Sequence, residues 1–322
     1  MNIFQEFVEK INIRSLPPSL LMKTFKAFSP AHITGVFQVK DSPNPLEKGS
    51  RGVGVTLEKG VYTELKVERS DRWKVTVRSV GARVKGEVSR KVVELLSSKV
   101  STPHRVEIFH RFEVPVGAGY GASGAGALGV ALAFDEALNL GLSPLEAANV
   151  AHVAEVCCGT GLGTVSAETW GGLVFRVKAG APSLGVVKKI RADGLKVVSL
   201  CWGSLPTTSL LSNPQFTGFI REVGGGFLEK FEGNPTVEGF LEVSKGFSET
   251  LQLYSPRVRR ALRLLEADGR WNFPLNMFGE AVFTLVEEEE VPRILRRLEH
   301  PVFQNCRVTV SGVSEHGARV ES

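Results

Sequence analysis

The sequence has few cysteines, no long apolar run and no extended basic run, and each absence excludes a class of protein. Its four cysteines (Cys157, Cys158, Cys201 and Cys306) lack the spacing of a zinc site, so we interpret them as core thiols that need no oxidising compartment. No stretch approaches the roughly 18 apolar residues of a membrane-spanning helix. Residues 1–23 contain acidic residues and no small-residue cleavage site, which argues against a secretory signal. These features predict a cytoplasmic protein without a membrane partner.

The net charge excludes few classes of protein, because the excess of basic over acidic residues is small. The chain has 39 basic and 34 acidic residues and a net charge of +5. Such an excess suits an anionic small molecule and tolerates nucleic acid, but it is also what an ordinary solvated surface carries. The sequence has no basic patch interleaved with the aromatic residues that stack on bases. RNA binding is therefore the weaker alternative, and we predict no nucleic-acid partner.

The length and patterning predict two lobes of mixed structure. The chain has 322 residues, 43% of them hydrophobic, which is enough for a large core. Residues 1–23 predict a short amphipathic helix and a Pro17–Pro18 break, and alternating apolar runs then predict strands. The segment 277–313 predicts a strand, a helix and a strand. The result is an α+β protein, with one lobe over residues 1–185 and a second over residues 186–322.

Two helix starts are marked by charge and capping residues. Ser143, Pro144 and Glu146 form a capping box with proline at the first helical position, and the helix should run to about Cys158. The acidic run 287–290 should supply the first turn of the last helix, where negative charge suits the helix dipole.

Residues 115–129, "PVGAGYGASGAGALG", are nearly devoid of large side chains. Glycines between a strand and a helix let backbone N–H groups face an anion, and the helix N-terminus adds partial positive charge. Close helix packing is the alternative explanation. The stretch lacks the P-loop pattern G-x-x-x-x-G-K-S/T. Its G-x-G-x-x-G at 119–124 has no acidic residue about 20 positions later, so a dinucleotide fold is not predicted.

The glycine stretch resembles the P-x-x-x-G-L-G-S-S-A-A phosphate loop of the GHMP kinases, the superfamily of galactokinase, homoserine kinase and mevalonate kinase. Two further segments are similar in order: "FSPAHITGVFQV" (28–39) resembles the A-P-G-K strand and turn, and "CCGTGLGTVSAETWGGLVF" (157–175) resembles the G-T-x-S-G-x-D…W-G-G segment. The resemblance spans most of the first lobe and, more weakly, the chain end. Within the superfamily, "SPAHITG" with "GAGYGASGAGAL" is most similar to the archaeal pantoate kinases, which use ATP to convert pantoate to 4-phosphopantoate on the route to coenzyme A.

The resemblance implies a fold, two cofactors and a phosphate site. The fold would be that of a GHMP kinase, with an N-terminal lobe like a ribosomal protein and a ferredoxin-like α/β C-terminal lobe. ATP and Mg²⁺ would be required, the adenine contacts would lie within residues 50–105, and the protein could be a homodimer. The predicted phosphate cradle consists of Pro115, Gly117, Gly119, Gly121, Ala122, Ser123 and Gly124.

Two side chains are implied as magnesium ligands, and a histidine lies beside one of them. The Ser123 hydroxyl would bind Mg²⁺ or a phosphate oxygen, although it could instead cap the helix. Glu155 would hold Mg²⁺ against the triphosphate. His152 lies three residues before Glu155 and so shares its helix face. It could donate to the pantoate carboxylate or a hydroxyl, or it could be a structural histidine.

The remaining implied substrate contacts are dispersed along the chain. Arg176 would grip the pantoate carboxylate with two hydrogen bonds, unless it is a surface residue of its strand. Ser29, placed in a turn before Pro30, and Thr207 are further pantoate contacts or ordinary turn residues. His32 occupies the lysine position of the A-P-G-K motif, either near the γ-phosphate or orienting the turn.

One departure from the family pattern affects the mechanism. In many of these kinases an aspartate of the G-T-x-S-G-x-D segment takes the proton of the attacking hydroxyl. Counting back from Trp170, the residue at that position here is Thr164. His152, Glu168, water or the phosphate itself could receive that proton instead. The terminal glycine motif, at 311–320, is also reduced. These departures leave two alternatives open: a kinase for another small hydroxy acid, such as homoserine or shikimate, and a non-catalytic relative that binds nucleotide.

Overall fold

The protein is described from a computed structural model, which covers residues 23–204 and 213–321. The predicted N-terminal helix with Pro17–Pro18 lies outside the described residues, and so does Thr207. No helix in the described ranges is both long enough and apolar enough to cross a membrane.

Strands and helices occupy most of the described chain. The strands are β1 (Thr24–Lys40), β2 (Gly49–Arg69), β3 (Lys74–Val80), β4 (His104–Phe112), β5 (Leu173–Lys178), β6 (Val186–Ile190), β7 (Lys196–Ser204), β8 (Gly279–Val286), β9 (Arg307–Gly312) and β10 (Arg319–Glu321). The helices are α1 (Glu87–Ser97), α2 (Ala122–Leu138), α3 (Pro144–Cys158), α4 (Thr164–Trp170), α5 (Pro214–Gly233), α6 (Val237–Leu251), α7 (Pro256–Leu265) and α8 (Val291–Arg297).

The first sheet is built on a long antiparallel hairpin. Its order is β10–β1–β2–β4–β3, and β5 and β6 extend it beside the first half of β2. Strand β2 pairs with β5 through Gly52–Val55 and with β4 through Val61–Arg69, so one long strand joins both parts of the sheet. The predicted boundary after residue 185 falls between β5 and β6, which pair in this sheet, and it stays a prediction.

The second sheet has β7 at its centre, between β8 and β9. Both neighbours run antiparallel to β7, so β8 and β9 are parallel to each other and α8 connects them. The predicted strand–helix–strand is therefore present, with β7 inserted between its two strands. The acidic run was predicted to supply the first turn of α8. It instead forms a short 3₁₀ turn, Glu288–Glu290, immediately before that helix.

Helix α2 explains the second half of the glycine stretch. All of its residues from Gly124 to Phe134 are buried, because neighbouring elements surround it. A Cβ on Gly129 would come 2.9 Å from that of Thr63, and one on Gly126 would meet the ring of His110 at 3.4 Å. Close packing, the alternative explanation of the small residues, therefore applies to this half. The helix ends at Leu138, with Asn139 in the left-handed conformation.

The capping box is present as predicted. The Ser143 hydroxyl accepts from the Glu146 N–H, the Glu146 carboxylate accepts from the Ser143 N–H, and α3 runs from Pro144 to Cys158. Two local predictions were wrong: the burial of Cys157 as a core thiol, since it is exposed, and the turn at Ser29. Ser29 lies inside β1, next to a β-bulge at Pro30 and Ala31, and not in a turn. The break after α3 is followed by helix α4 before the next strand begins, and the sequence interpretation had omitted that helix.

Candidate active site

A cavity of about 120 Å³ lies where the first half of the glycine stretch meets β1, the α3–α4 connection and the turn before β8. Hydrogen bonds fix its walls: the His32 N–H donates to the Tyr120 carbonyl, and the Met277 N–H donates to the Thr34 carbonyl. Its lining residues are His32, Thr34, Phe37, Ser50, Gly117, Gly119, Tyr120, Gly121, Ala122, Ser123, Glu155, Thr160, Gly161, Leu162, Gly163, Thr164, Arg176, Met277 and Phe278.

The glycine loop has the backbone of an anion cradle. Gly117, Gly119 and Gly121 have φ angles of 75°, 81° and 66°, a conformation that glycine adopts without steric cost. A Cβ on Gly121 would also come within 2.5 Å of Glu168 Oε1 and Thr164 Cγ2. Helix α2 begins at Ala122 with no side-chain cap, so its first N–H groups can face a bound anion.

Ser123 and Glu155 are brought together at the edge of the cavity. The Ser123 hydroxyl donates to Glu155 Oε1 at 2.6 Å, so it does not cap the helix. The Thr160 hydroxyl donates to the same oxygen at 2.6 Å. Burial raises the pKa of the Glu155 carboxyl, and these two hydrogen bonds act in the opposite direction. The result is a group of hard oxygen donors, at which a divalent cation could bind.

Glu168 is a second buried carboxyl group, directly behind the loop. It is 0% exposed, and neither of its oxygens has a hydrogen-bond partner. A Cβ on Gly124 would lie 2.9 Å from Glu168 Oε2 and 3.4 Å from Glu155 Oε2, so the two carboxyl groups flank the same glycine. The pKa of Glu168 is raised well above its usual value by burial and then by Glu155, whereas Arg176 lowers it.

Arg176 and His32 form the basic side of the cavity. Arg176 is buried, which rules out the alternative of a surface strand residue, and its Nη1 lies 3.5 Å from His32 Nε2. Burial lowers the pKa of Arg176 to about 10, which leaves it charged at neutral pH. Burial, and then Arg176, hold the pKa of His32 well below its usual value, so the imidazole is neutral. The Arg176 Nε has no hydrogen-bond partner, as would suit a guanidinium awaiting an anionic ligand.

Thr164 lines the cavity at the first position of α4. Glu155 is the one carboxylate among the described residues that line this cavity. Glu168, one helical turn after Thr164, lies behind the loop and does not line it. No group of three or more histidine, cysteine, aspartate or glutamate side chains placed to hold a metal ion occurs within residues 23–204 and 213–321.

Two predicted substrate contacts are not brought to the cavity. His152 is buried on α3, and its Nε2 lies 2.9 Å from the Lys48 carbonyl, a structural contact. Burial lowers its pKa. Ser29 is fully buried in β1, its hydroxyl has no partner, and it does not line the cavity. Pro115 and Gly124 of the predicted cradle also lie outside the lining.

Ten of the nineteen lining residues were not predicted as site residues, and three of these, Thr160, Phe37 and Phe278, matter for the chemistry argued below. Thr160 lies in "GTGLGT", five residues after Glu155, and its hydroxyl could have been noticed as a neighbour of that carboxylate. Phe37 and Phe278 lie far apart in the sequence, and nothing local indicates that their rings meet, with centroids 5.4 Å apart.

Comparisons with known proteins identify relatives over most of the chain. The model of the GHMP kinases N terminal domain matches residues 87–172. The chain is 30% identical over 282 residues to a pantoate kinase of Methanocaldococcus jannaschii, covering 86% of this chain and 98% of the relative. It is 33% identical over 273 residues to a pantoate kinase of Thermococcus kodakarensis, and the match covers 83% of this chain and 89% of that relative.

Solved structures agree on the fold. A structure described as a phosphotransferase related to the CoA biosynthesis pathway has a TM-score of 0.82 and 29% identity, and covers 93% of this chain and 99% of its own. A homoserine kinase from Cytophaga hutchinsonii has a TM-score of 0.68 at 16% identity, and the match covers 95% of this chain and 100% of that one. At this identity the likeness shows a shared fold and nothing more. The predicted α+β fold is thereby confirmed.

Proposed function

This chain belongs to the pantoate kinases of the GHMP kinase superfamily, and we propose on that basis that it transfers the γ-phosphoryl group of ATP to the 4-hydroxyl of pantoate. The products are ADP and 4-phosphopantoate, an intermediate on the route to coenzyme A. The observation that carries this proposal is a single cavity with an anion cradle on one side and a buried arginine on the other. Kinases for other hydroxy acids and non-catalytic relatives are not favoured, because the curated relatives above are pantoate kinases.

The glycine loop would hold the ATP phosphates. The left-handed backbone at Gly117, Gly119 and Gly121 and the uncapped start of α2 supply N–H donors without a lysine. Added Cβ atoms at Gly119 and Gly121 would strike neighbouring atoms, so the glycines are also required by the packing around them.

Ser123 and Glu155, with Thr160 beside them, would hold Mg²⁺. Their oxygen atoms suit this ion, which proteins bind through one or two carboxylates together with substrate phosphates. When bound, Mg²⁺ would neutralise part of the negative charge of the triphosphate. Thr160 and Ser123 both fix Oε1 of Glu155, which leaves Oε2 as the less constrained oxygen of this carboxylate.

Arg176 would bind the pantoate carboxylate. Its charge is buried and the neighbouring His32 ring is neutral, so the guanidinium can accept an anionic partner at little further desolvation cost. Binding a carboxylate here fixes one end of the substrate, which helps to place the 4-hydroxyl in line with the γ-phosphate. Ser29 and His152 do not line this cavity and are not proposed as further contacts, whereas Thr207, outside the described residues, stays a prediction.

The proton of the attacking hydroxyl has no carboxylate acceptor at Thr164. We assign it to the phosphoryl group being transferred, a less effective acceptor than a carboxylate, because phosphoryl transfer relies chiefly on positioning and charge neutralisation. The Glu168 carboxyl lies behind the loop and does not line the cavity, and burial raises its pKa, so it is not placed to receive this proton.

The test is ATP consumption by the purified protein offered pantoate, homoserine, shikimate and mevalonate separately, with phosphorylated products identified by mass. We expect turnover with pantoate at the highest kcat/KM. No turnover with pantoate beside clear turnover with another alcohol would overturn the substrate and leave the kinase fold standing. The adenine contacts within residues 50–105, a homodimer, a cytoplasmic location and the absence of a nucleic-acid partner stay predictions.

A further inference from the structure

An aromatic pair forms one wall of the cavity. The Phe37 and Phe278 rings lie with centroids 5.4 Å apart and planes at 63°, and both residues line the cavity. Phe37 belongs to the core and is backed by the edge-on ring of Phe247 at 5.9 Å. Phe278 is half-buried, so part of its ring is free to contact a ligand. The wall is therefore apolar and fixed from behind.

The backbone holds Phe278 in a conformation that a phenylalanine seldom adopts. Its φ angle is 69°, in the left-handed region, where a bulky side chain is a strained outlier. The neighbouring residues enforce this turn: the Met277 N–H donates to the Thr34 carbonyl and the Gly279 N–H to the Asn276 carbonyl. Strained residues of this kind concentrate at ligand sites, where the surrounding structure over-determines them.

The aromatic wall lies next to the cation of the cavity. A Cβ on Gly52 would come 2.5 Å from Arg176 Nη2 and 3.1 Å from Phe37 Cβ, so Gly52 lies between the guanidinium and the aromatic wall. On the other side, a Cβ on Gly119 of the phosphate loop would lie 2.5 Å from the carbonyl oxygen of Met277. A ligand in the cavity thus meets a cation, an apolar wall and an anion cradle in one small space.

Pantoate has a matching sequence of groups. Its carboxylate end is separated from the 4-hydroxyl by a quaternary carbon with two methyl groups, whereas homoserine has a plain methylene there. We infer that Phe278, backed by Phe37, contacts these methyl groups and determines the selection of pantoate over hydroxy acids without them. This inference rests on the proposed function and adds its specificity-determining residue.

The experiment compares pantoate with 2,4-dihydroxybutanoate, which lacks both methyl groups but keeps the carboxylate and the hydroxyls. A hydrophobic pocket typically discriminates one carbon by about 10- to 200-fold in kcat/KM. We expect the unaltered enzyme to prefer pantoate by about 100-fold or more. Phe278→Gly should reduce this preference to about tenfold or less, mainly because kcat/KM for pantoate falls, while the KM for ATP stays unchanged.

Glycine is chosen because it suits the left-handed backbone at this position, so the variant should fold. Gln252→Gly is the matched control: Gln252 also has a positive φ, 52°, but it is exposed at the end of α6 and outside the cavity. Phe278→Asn, whose residue also tolerates this backbone, should repeat the loss of preference with a polar side chain.

An unchanged preference in folded Phe278→Gly and Phe278→Asn would overturn the inference while sparing the proposed function. A loss of preference in Gln252→Gly as large as that in Phe278→Gly would overturn it as well. Failure of the unaltered enzyme to use pantoate, with turnover of another alcohol, would instead overturn the proposed function itself.

Discussion

The Ser123 hydroxyl donates a 2.6 Å hydrogen bond to Glu155, and so connects the first turn of α2 to the last turns of α3. Thr160 donates to the same carboxylate oxygen. Two hydroxyls on one oxygen restrict the rotation of the carboxylate and hold its other oxygen in a defined position. The geometry of the implied magnesium site therefore depends on a residue that need not bind the metal.

Thr160→Val should weaken the binding of Mg²⁺ and so raise the Mg²⁺ concentration that gives the half-maximal rate. The side chain keeps its shape but loses the hydrogen bond, and loss of such an outer partner typically costs about 10- to 100-fold in metal affinity or activity. The measurement is the Mg²⁺ concentration at half-maximal rate. Thr160→Ser, which restores the hydroxyl, should recover most of the effect. Equal half-saturation in Thr160→Val and the unaltered enzyme would show that Glu155 does not need this partner.

Gly121→Ala should lower the free energy of unfolding and raise the KM for ATP. Its φ of 66° costs a non-glycine residue about 1–2 kcal/mol, and the added methyl would also strike Glu168 and Thr164. Gly141→Ala is the matched control, because its φ is 72° and nothing lies within 4 Å of an added Cβ. We expect Gly141→Ala to lose about 1–2 kcal/mol of unfolding free energy with an unchanged KM for ATP. Gly121→Ala should lose more and raise that KM about tenfold or more. Equal effects of the two changes would contradict the close packing at Gly121.

Thr164→Asp should raise kcat. It places a carboxylate at the cavity wall, where the aspartate that receives the proton stands in related kinases, and general bases contribute about 100-fold or more. We expect a gain of about tenfold or more, with a rate that now falls in acid as the new carboxylate is protonated. Thr164→Asn, of similar shape but without charge, should show neither effect. An unchanged kcat in Thr164→Asp would mean that proton removal does not limit the reaction.

His110 should make the protein lose stability in mild acid. It is buried between the Ser89 and Thr63 hydroxyls, at 2.9 and 3.0 Å, and burial lowers its pKa to about 4. A lowered pKa means that the native state stays neutral while the unfolded chain takes up a proton near pH 6.5. The contribution to stability is therefore full above about pH 6.5 and is lost as the pH falls towards 4.

The size of this loss follows from the shift, which corresponds to about 3 kcal/mol in the free energy of unfolding. The measurement is denaturant unfolding at pH 7 and pH 4 for the unaltered protein and for His110→Gln, which cannot titrate. The decrease between the two pH values should be smaller in His110→Gln by about this amount. Equal decreases would show that His110 is not buried as a neutral ring.

The local signals of the sequence predicted the fold well. The capping box at Ser143 and the glycines of the phosphate loop act through neighbours in the chain, so their residue types indicate their structure directly. The same holds for Ser123 and Glu155, because the helices that carry them are each well marked. The role of Arg176 was implied by its motif, and its burial beside a neutral His32 adds the physical reason.

The sequence was less informative where tertiary contacts decide. His152 shares a helix face with Glu155, yet its ring turns to the Lys48 carbonyl, a partner more than one hundred residues away. Helix α4 is short and begins in a glycine-rich segment, so propensity does not indicate it. Phe278 owes its position to a turn fixed by Thr34 of another strand. Such contacts are not expressed in any local pattern.

The pairing of β1 with β10 has a consequence for synthesis. Lys26 pairs with Glu321, and the Arg319 guanidinium lies 4.7 Å from the centroid of the Phe28 ring, so one edge of the first sheet is covered by residues translated long after it. Ribosomes add about 5–20 residues per second, so this edge waits tens of seconds for its partner strand. An uncovered edge strand can pair with other chains. The edge of β1 at Lys26–Phe28 therefore needs shielding, for example by a chaperone, until the end of the chain has been made.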